Sequence, residues 1–390
     1  MRADRVTVGN RRSRSCDVAI VGAGITGLSV AFHLLSRARR EVMIFDRAGV
    51  AAEASGVQPG GVRQQWSTRV NCLLVRESLQ TYHAIGDALS STVRPVFQPC
   101  GYMFVAHSEG RLARLAADVE VQNEAGVPSQ ILTPDEAGDR VPDLRADTLL
   151  GAAWCAEDGY FDRPQSVVAA YGEAAERLGA VLEVVEVTRL APASGRWRLT
   201  LSNGSSIEAH QVVLATGYDT TALLEPLGIS LPIVKEPRYL FLSQPIRERL
   251  LEPLVVSGER SFAAKQLADG RVLASHTAAD GDPATSAAAW RQAIRERIVE
   301  MLPRLQYVSF PILVDGYYDT TPDHQPIVGE LLGGLWIAAG FSGHGFMLAP
   351  AIGRRVAAAL DLDPIDALLS FFSPGRLKEP AAISERDWVV

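Results

Sequence analysis

The chain has little of what would mark a metal protein, a disulfide scaffold or a membrane protein. Its 390 residues include four cysteines, Cys16, Cys72, Cys100 and Cys155, with no metal-ligand spacing and too few for a disulfide framework. Free thiols in a reducing cytoplasm, and no bound metal, are the expectation. No window has the uninterrupted apolar length needed to span a bilayer. The net charge of -7 gives no reason to expect nucleic acid as a partner. A nucleophile elbow, internal repeats and low-complexity tracts are missing too. What remains is a soluble globular composition, 47% hydrophobic and 21% charged, in a chain long enough for two domains.

One basic stretch needs a separate reading. Arg2, Arg5, Arg11, Arg12 and Arg14 precede an apolar run from Val18 to Phe32, superficially like a secretory signal. That run carries three spaced glycines, lacks a small-residue cleavage site and continues into a strand–helix–strand unit. Residues 1–15 are therefore expected to be a flexible basic tail.

The richest stretch is Asp17-Val-Ala-Ile-Val-Gly-Ala-Gly-Ile-Thr-Gly27, followed by Glu41-Val-Met-Ile-Phe-Asp46. It reads as a buried strand, a glycine turn, a helix, and a second buried strand ending in an acid. Gly22 permits the tight turn, Gly24 lets the backbone approach a pyrophosphate, and Gly27 lets the helix pack on the sheet. Asp46, about twenty residues past the last glycine, suits a ribose hydroxyl. The unit as a whole predicts a bound dinucleotide.

Further along, helices are expected at Asn71–Leu89, 109–125, Arg163–Leu178, 284–302 and Leu348–Leu360. Pro164 is well placed in a first helical turn. Strands are expected at Gly101–His107, Thr148–Trp154, Val181–Leu190, Trp197–Ser202, Gln211–Ala215, Lys235–Leu242, on both sides of Ala268-Asp-Gly270, and at Gly334–Gly340. Short turns between strands in the middle of the chain imply an antiparallel sheet beside the parallel first layer.

Three segments narrow the cofactor. They are Val212-Val-Leu-Ala-Thr-Gly217; Gly159-Tyr-Phe-Asp-Arg-Pro164 with the later Gly179–Val187; and Asp323-His-Gln-Pro-Ile-Val-Gly329 with Ala339-Gly-Phe-Ser-Gly-His-Gly-Phe346. With the glycine turn, they resemble the D-amino-acid oxidase superfamily of flavoproteins, in particular its sarcosine-oxidase and sarcosine-oxidase β-subunit-like members, over residues 16–365. The resemblance implies an α/β fold, a Rossmann-like FAD-binding domain plus an antiparallel-sheet substrate domain, in the two-domain p-hydroxybenzoate-hydroxylase-like arrangement. The FAD-binding domain would comprise residues 16–89, 149–225 and 315–365. The substrate domain would comprise 90–148 and 226–314, with 366–390 as a C-terminal tail.

The resemblance also implies flavin contacts from Gly22, Gly24, Ile25, Thr26, Gly27, Asp46 and Arg47, and from Ala54, Ser55, Gly61, Val62 and Arg63. Val187, Ala215, Thr216 and Gly217 would join them, as would Gly340, Ser342, Gly343, His344, Gly345, Phe346 and Met347. The implied reaction is oxidation of an amine or amino acid at a C–N bond, with hydride passing to FAD and the imine hydrolysing. Oxygen or another electron acceptor would take the electrons onward.

The chain departs from the sarcosine-oxidase pattern at informative places. Gly316 stands where those enzymes attach FAD through cysteine, so non-covalent FAD is expected. Val272 stands at their oxygen-activating lysine, with Lys265 on a neighbouring strand as a partial substitute. Trp66 and Met347 replace their carboxylate-binding cations, and Tyr318 replaces the arginine of glycine and D-amino-acid oxidases. A buried carboxylate needs a cation or several donors, leaving Arg63 or Arg238 to supply them. Trp66, Tyr318 and Met347 would form an apolar, aromatic pocket favouring a bulkier or cyclic secondary or tertiary amine. His276, which aligns with the family's active-site histidine, and His344, among glycines at a helix start, complete the pocket candidates. Primary-amine D-amino-acid or glycine oxidation, or service as the flavin subunit or assembly factor of a larger complex, are the rival readings.

Overall fold

The computed structural model describes residues 14–378 and 384–385. Residues 1–13, with Arg2, Arg5, Arg11 and Arg12 of the expected tail, lie outside the described residues. Arg14 and Ser15, also expected in that tail, begin the first strand.

That strand, Arg14–Val21, lies parallel between Val42–Asp46 and Ser206–Leu214. Val18, Ala19 and Ile20 have no exposed surface: Val18 and Ile20 belong to a core shared with Leu28 and Ile352 of helices, Ala19 to one shared with Leu190, Trp197 and Leu199 of strands. Val181–Val184 adds beyond Val42–Asp46, and Leu335–Ala339 pairs with Ser206–Leu214. Arg196–Leu201, Val187–Ala193 and Ile327–Leu332 complete the eight-stranded sheet antiparallel to their neighbours. The glycine-turn helix, Ile25–Arg37, crosses the C-terminal helix Gly345–Leu360 closely. A Cβ on Gly353 would stand 2.2 Å from Ser29 Oγ, which instead donates to Ala349 O at 2.9 Å.

The second sheet also has eight strands, ordered Ile312–Thr320, Val234–Leu242, Val272–His276, Phe262–Gln266, Leu254–Ser257, Tyr102–Ala106, Gly151–Cys155 and Gln130–Leu132. Its pairings are antiparallel except Leu254–Ser257 beside Tyr102–Ala106. A small three-stranded sheet, Gly61–Val62, Gly159–Phe161 and Phe97–Gln98, forms separately.

Three expectations are corrected. Gly151–Cys155, expected in the nucleotide layer, hydrogen-bonds in the second sheet, and the boundary at residue 315 falls inside the strand Ile312–Thr320. The run Val181–Leu190 is two strands at opposite edges of the first sheet. The helix Asn71–Leu89 is two, Arg69–His83 and Ile85–Leu89, because Ala84 leaves the helical region at φ -105°, ψ 13°. Among the described residues no helix is long and apolar enough to cross a membrane, and no group of three or more His, Cys, Asp or Glu is placed to hold a metal.

Candidate active site

One cleft, with a cavity of about 470 Å³, runs from the glycine turn to the start of the C-terminal helix. Its first half is built from backbone. Gly22 has φ +110°, and a Cβ there would stand 2.3 Å from Ala215 O; a Cβ on Gly24 would stand 3.1 Å from Ser55 Oγ. Asp46 stiffens the turn, accepting from Ala23 N through one oxygen (2.8 Å) and from Ala48 N and Gly49 N through the other (2.9 Å each). Ser55 Oγ accepts from Ile25 N at 3.1 Å. Bare backbone at a helix N-terminus, flanked by Asp46, Val187 and Ala215, fits the diphosphate and ribose of a dinucleotide.

At the mouth of this half, Arg47 pairs with Glu53 (2.8 Å) and Asp219 (2.9 Å). Lys235 reaches over from the second sheet to lie on the rings of Tyr218 (4.1 Å) and Tyr317 (3.8 Å). Glu53 and Tyr218 were not legible as cleft residues, since neither belongs to a motif.

The other half is lined by side chains. Arg63 is 1% exposed, its guanidinium 4.0 Å from the centre of the Trp66 ring and 5.4 Å from that of Phe104. It donates to Gln65 O at 2.6 Å and to the Tyr102 hydroxyl. Burial pushes its basicity down from the usual arginine value. Two buried carboxylates hold the loop that carries it. Asp158 accepts from Gln64 N (2.8 Å) and Gln65 Nε2 (3.1 Å), and burial pushes it up to about 6. Glu385 accepts from Ser67 N and Oγ, Thr68 N and Oγ1, and Asn71 Nδ2, capping the helix Arg69–His83. A helix cap supplied from the far end of the chain leaves no local sequence signal.

Tyr318 is pressed against the turn before the C-terminal helix: a Cβ on Gly343 would stand 2.4 Å from its ring, and Gly343 has φ +87°. Arg238 lies over the same ring at 4.7 Å. His344 is buried at that helix's N-terminus, edge-on to Trp66 at 4.3 Å, with neither ring nitrogen hydrogen-bonded. Burial, reinforced by Arg63, holds its pKa well below the usual histidine value, so the imidazole is neutral at pH 7. Lys265 is fully buried, donating to Pro59 O at 2.6 Å above the Tyr160 ring; burial pushes it down to about 7. Asp319, unpicked by sequence despite standing two residues before Thr321-Pro-Asp323, accepts from Gly340 N at 2.6 Å and is pushed up to about 6 by burial.

Most expected residues line this cleft: Gly22, Gly24, Ile25, Thr26, Asp46, Arg47, Ala54, Ser55, Gly61, Arg63, Val187, Ala215, Thr216, Gly217, Tyr318 and Gly343–Met347. Six do not reach it. Gly27 packs beneath the turn, against Gly22 O, and Val62 is in the core. Gly340 sits on Thr321, and Ser342 Oγ accepts from Thr321 N. Trp66 stands behind Arg63, donating Nε1 to Arg63 O at 2.9 Å. His276 contacts Ser261 O at 3.1 Å. Its strand explains why: Leu273 and Ser275 face the cleft, so Val272, Ala274 and His276 face away. Lys265, opposite Leu273 in the next strand, is on the cleft side.

A family model described as FAD dependent oxidoreductase matches residues 17–359, and the chain belongs to that family. The chain is thus an FAD-dependent oxidoreductase of the amine and amino-acid oxidising type, in the family's two-domain architecture. It is 26% identical to FAD-dependent oxidoreductase domain-containing protein 1 of Xenopus laevis, over 96% of this chain and 85% of that protein. It is 28% identical to glycine oxidase of Geobacillus kaustophilus, over 89% and 95%. L-proline dehydrogenase from P. horikoshii superposes with a TM-score of 0.86 at 25% identity, over 94% and 99%.

Proposed function

We propose that the chain oxidises an amino acid whose nitrogen is secondary or tertiary, holding its carboxylate at Arg63. FAD, held non-covalently along the glycine turn and the start of the C-terminal helix, supplies the two-electron hydride acceptor when bound. Gly316 supports non-covalent binding, because that position offers no thiol to attach a flavin.

The observation that carries the reading is a desolvated guanidinium lining the cleft between Tyr102 and Tyr318. A planar donor fork in a dry site binds carboxylate strongly and fixes its orientation. The same positive charge lowers the pKa of a bound ammonium, favouring the neutral amine whose lone pair forms the C=N bond as the α-hydrogen leaves as hydride. Water then adds to the imine and releases a carbonyl product and the amine. The N-terminus of the helix Gly345–Leu360 directs its positive dipole end at the cleft, which stabilises negative charge developing there. Tyr102, Tyr318 and Met347 leave an aromatic and apolar wall suited to an N-alkyl or cyclic substituent.

The test is anaerobic mixing of purified holoenzyme with N-methyl amino acids, cyclic imino acids, D-amino acids and glycine, following the visible flavin band. Bleaching by the secondary amines first, with R63M raising their KM by about a hundredfold, is expected. Faster bleaching by glycine or D-amino acids would replace this reading with primary-amine oxidation. Unchanged KM in R63M would remove Arg63 from the carboxylate site.

A further inference from the structure

Besides Arg63, and apart from Arg47 paired at its mouth, the cleft holds a guanidinium that the oxidation of a simple amino acid leaves unused. Arg238 lies on the strand Val234–Leu242, opposite Gly316, and reaches back along its strand to cover Tyr318. We infer that Arg238 is a second carboxylate station, and that the substrate is an amine bearing two acidic groups, such as an N-alkyl dicarboxylic amino acid. This rests on the reading that Arg63 takes the first carboxylate.

The two arginines differ in depth. Arg63 is 1% exposed, whereas the Arg238 side chain keeps 20% of its surface exposed. Arg238 lies 4.7 Å from the centre of the Tyr318 ring, and Arg63 and Tyr318 line the same cleft. One substrate passing that ring can therefore meet a cation at each end. Beyond Tyr318, the cleft wall next to Arg238 carries the apolar side chains of Leu240 and its cross-strand partner Val314. They suit a short carbon chain joining two charged ends.

The present partners of Arg238 leave the fork incompletely used. Its Nη1 donates to Pro237 O at 2.9 Å and pairs with Glu236 at 3.1 Å. Its Nε is buried and has no hydrogen-bond partner. Glu236 is 41% exposed on its side chain and also accepts from Thr320 Oγ1 at 2.7 Å. An ion pair that open to solvent contributes little, so a carboxylate arriving from the drier cleft side can share the guanidinium without a large loss. Such a ligand would also satisfy Nε, an atom costly to leave without a partner. Asp319 does not fill this role, because it is engaged with the Gly340 N–H.

The experiment compares N-methylalanine with N-methylaspartate and N-methylglutamate in stopped-flow flavin bleaching of the holoenzyme. In parallel, the inert pair butyrate and glutarate is titrated by perturbation of the flavin spectrum. We expect a dicarboxylic preference of about tenfold or more in both measurements, reduced to near unity in R238Q and partly restored in R238K. The visible flavin spectrum of each variant reports whether it has folded and loaded FAD. A wild-type enzyme without the preference, or a preference unchanged in R238Q, overturns the inference while leaving the amine-oxidation reading intact. Tight glutarate binding lost in R238Q, with no bleaching by any amine, supports the second station and overturns the proposed reaction.

Discussion

Arg63 and Lys265 show what burial does to two kinds of cation. Arginine is basic enough to stay charged even when burial lowers it, whereas Lys265 is brought to about 7 and loses its proton near neutrality. Below that value the cleft contains an ammonium, and above it a neutral amine. Reoxidation of the reduced holoenzyme by air is therefore expected to slow as pH rises through about 7, and to be uniformly slow in K265M. A flat pH profile shared by both proteins would separate Lys265 from oxygen chemistry. Asp158 acts on stability instead. Its folded value of about 6 lies above that of an ordinary carboxylate, so between about pH 4 and 6 the folded chain holds a proton that the unfolded chain has lost. Its contribution falls as pH rises through that window, so D158N should gain on wild type by up to about 3 kcal/mol between pH 4 and 7 in urea titrations. His33, lowered to about 4 by burial, works in the opposite sense in both proteins and cancels from the difference. At this scale the sequence was readable where backbone contact decides, as at Gly22 and Gly24. It was not readable where side-chain direction decides: His276 is on the expected strand but one residue out of phase with the cleft.

Among the elements, the helix Gly345–Leu360 and the helix Arg69–His83 bring the two walls of the site together. The Tyr82 hydroxyl donates to Phe346 O, tying one helix to the first turn of the other. The close approach of Gly343 to Tyr318 makes G343A a direct probe of this joint. It should destabilise the fold by about 1–3 kcal/mol and weaken FAD binding, seen as a lower thermal midpoint and a smaller flavin-to-protein absorbance ratio. E385A should cost about 2 kcal/mol by uncapping the helix Arg69–His83, with E385Q recovering part of the loss. Equal melting temperatures for wild type and E385A would deny that cap any energetic role. The bounds of Ile25–Arg37 and Pro164–Arg177 follow from local signals, the glycine turn and Pro164. Sheet membership does not. Gly151–Cys155 is a short, fully buried run that reads the same in either sheet, and only its pairing with Tyr102–Ala106 decides.

For the whole molecule, the cleft proposed for FAD is lined by strands of both large sheets, so the cofactor is expected to contribute to stability as well as to chemistry. A ligand binding only the folded state raises stability with concentration, by about 2.7 kcal/mol at a hundred times its dissociation constant. Removing FAD should accordingly lower the melting temperature, and titrating it back should restore it progressively. The strand order of the first sheet has a further consequence. Ser206–Leu214 lies between Arg14–Val21 and Arg196–Leu201, but part of its length also pairs with Leu335–Ala339. During synthesis the strand and helix that finish the far end of the cleft leave the ribosome more than three hundred residues after the glycine turn. Cofactor capture in the proposed cleft is thus expected late in the life of the nascent chain. Until then the incomplete sheet presents an apolar edge to chaperones and to other copies of itself, and flavin scarcity should show first as aggregation of newly made protein.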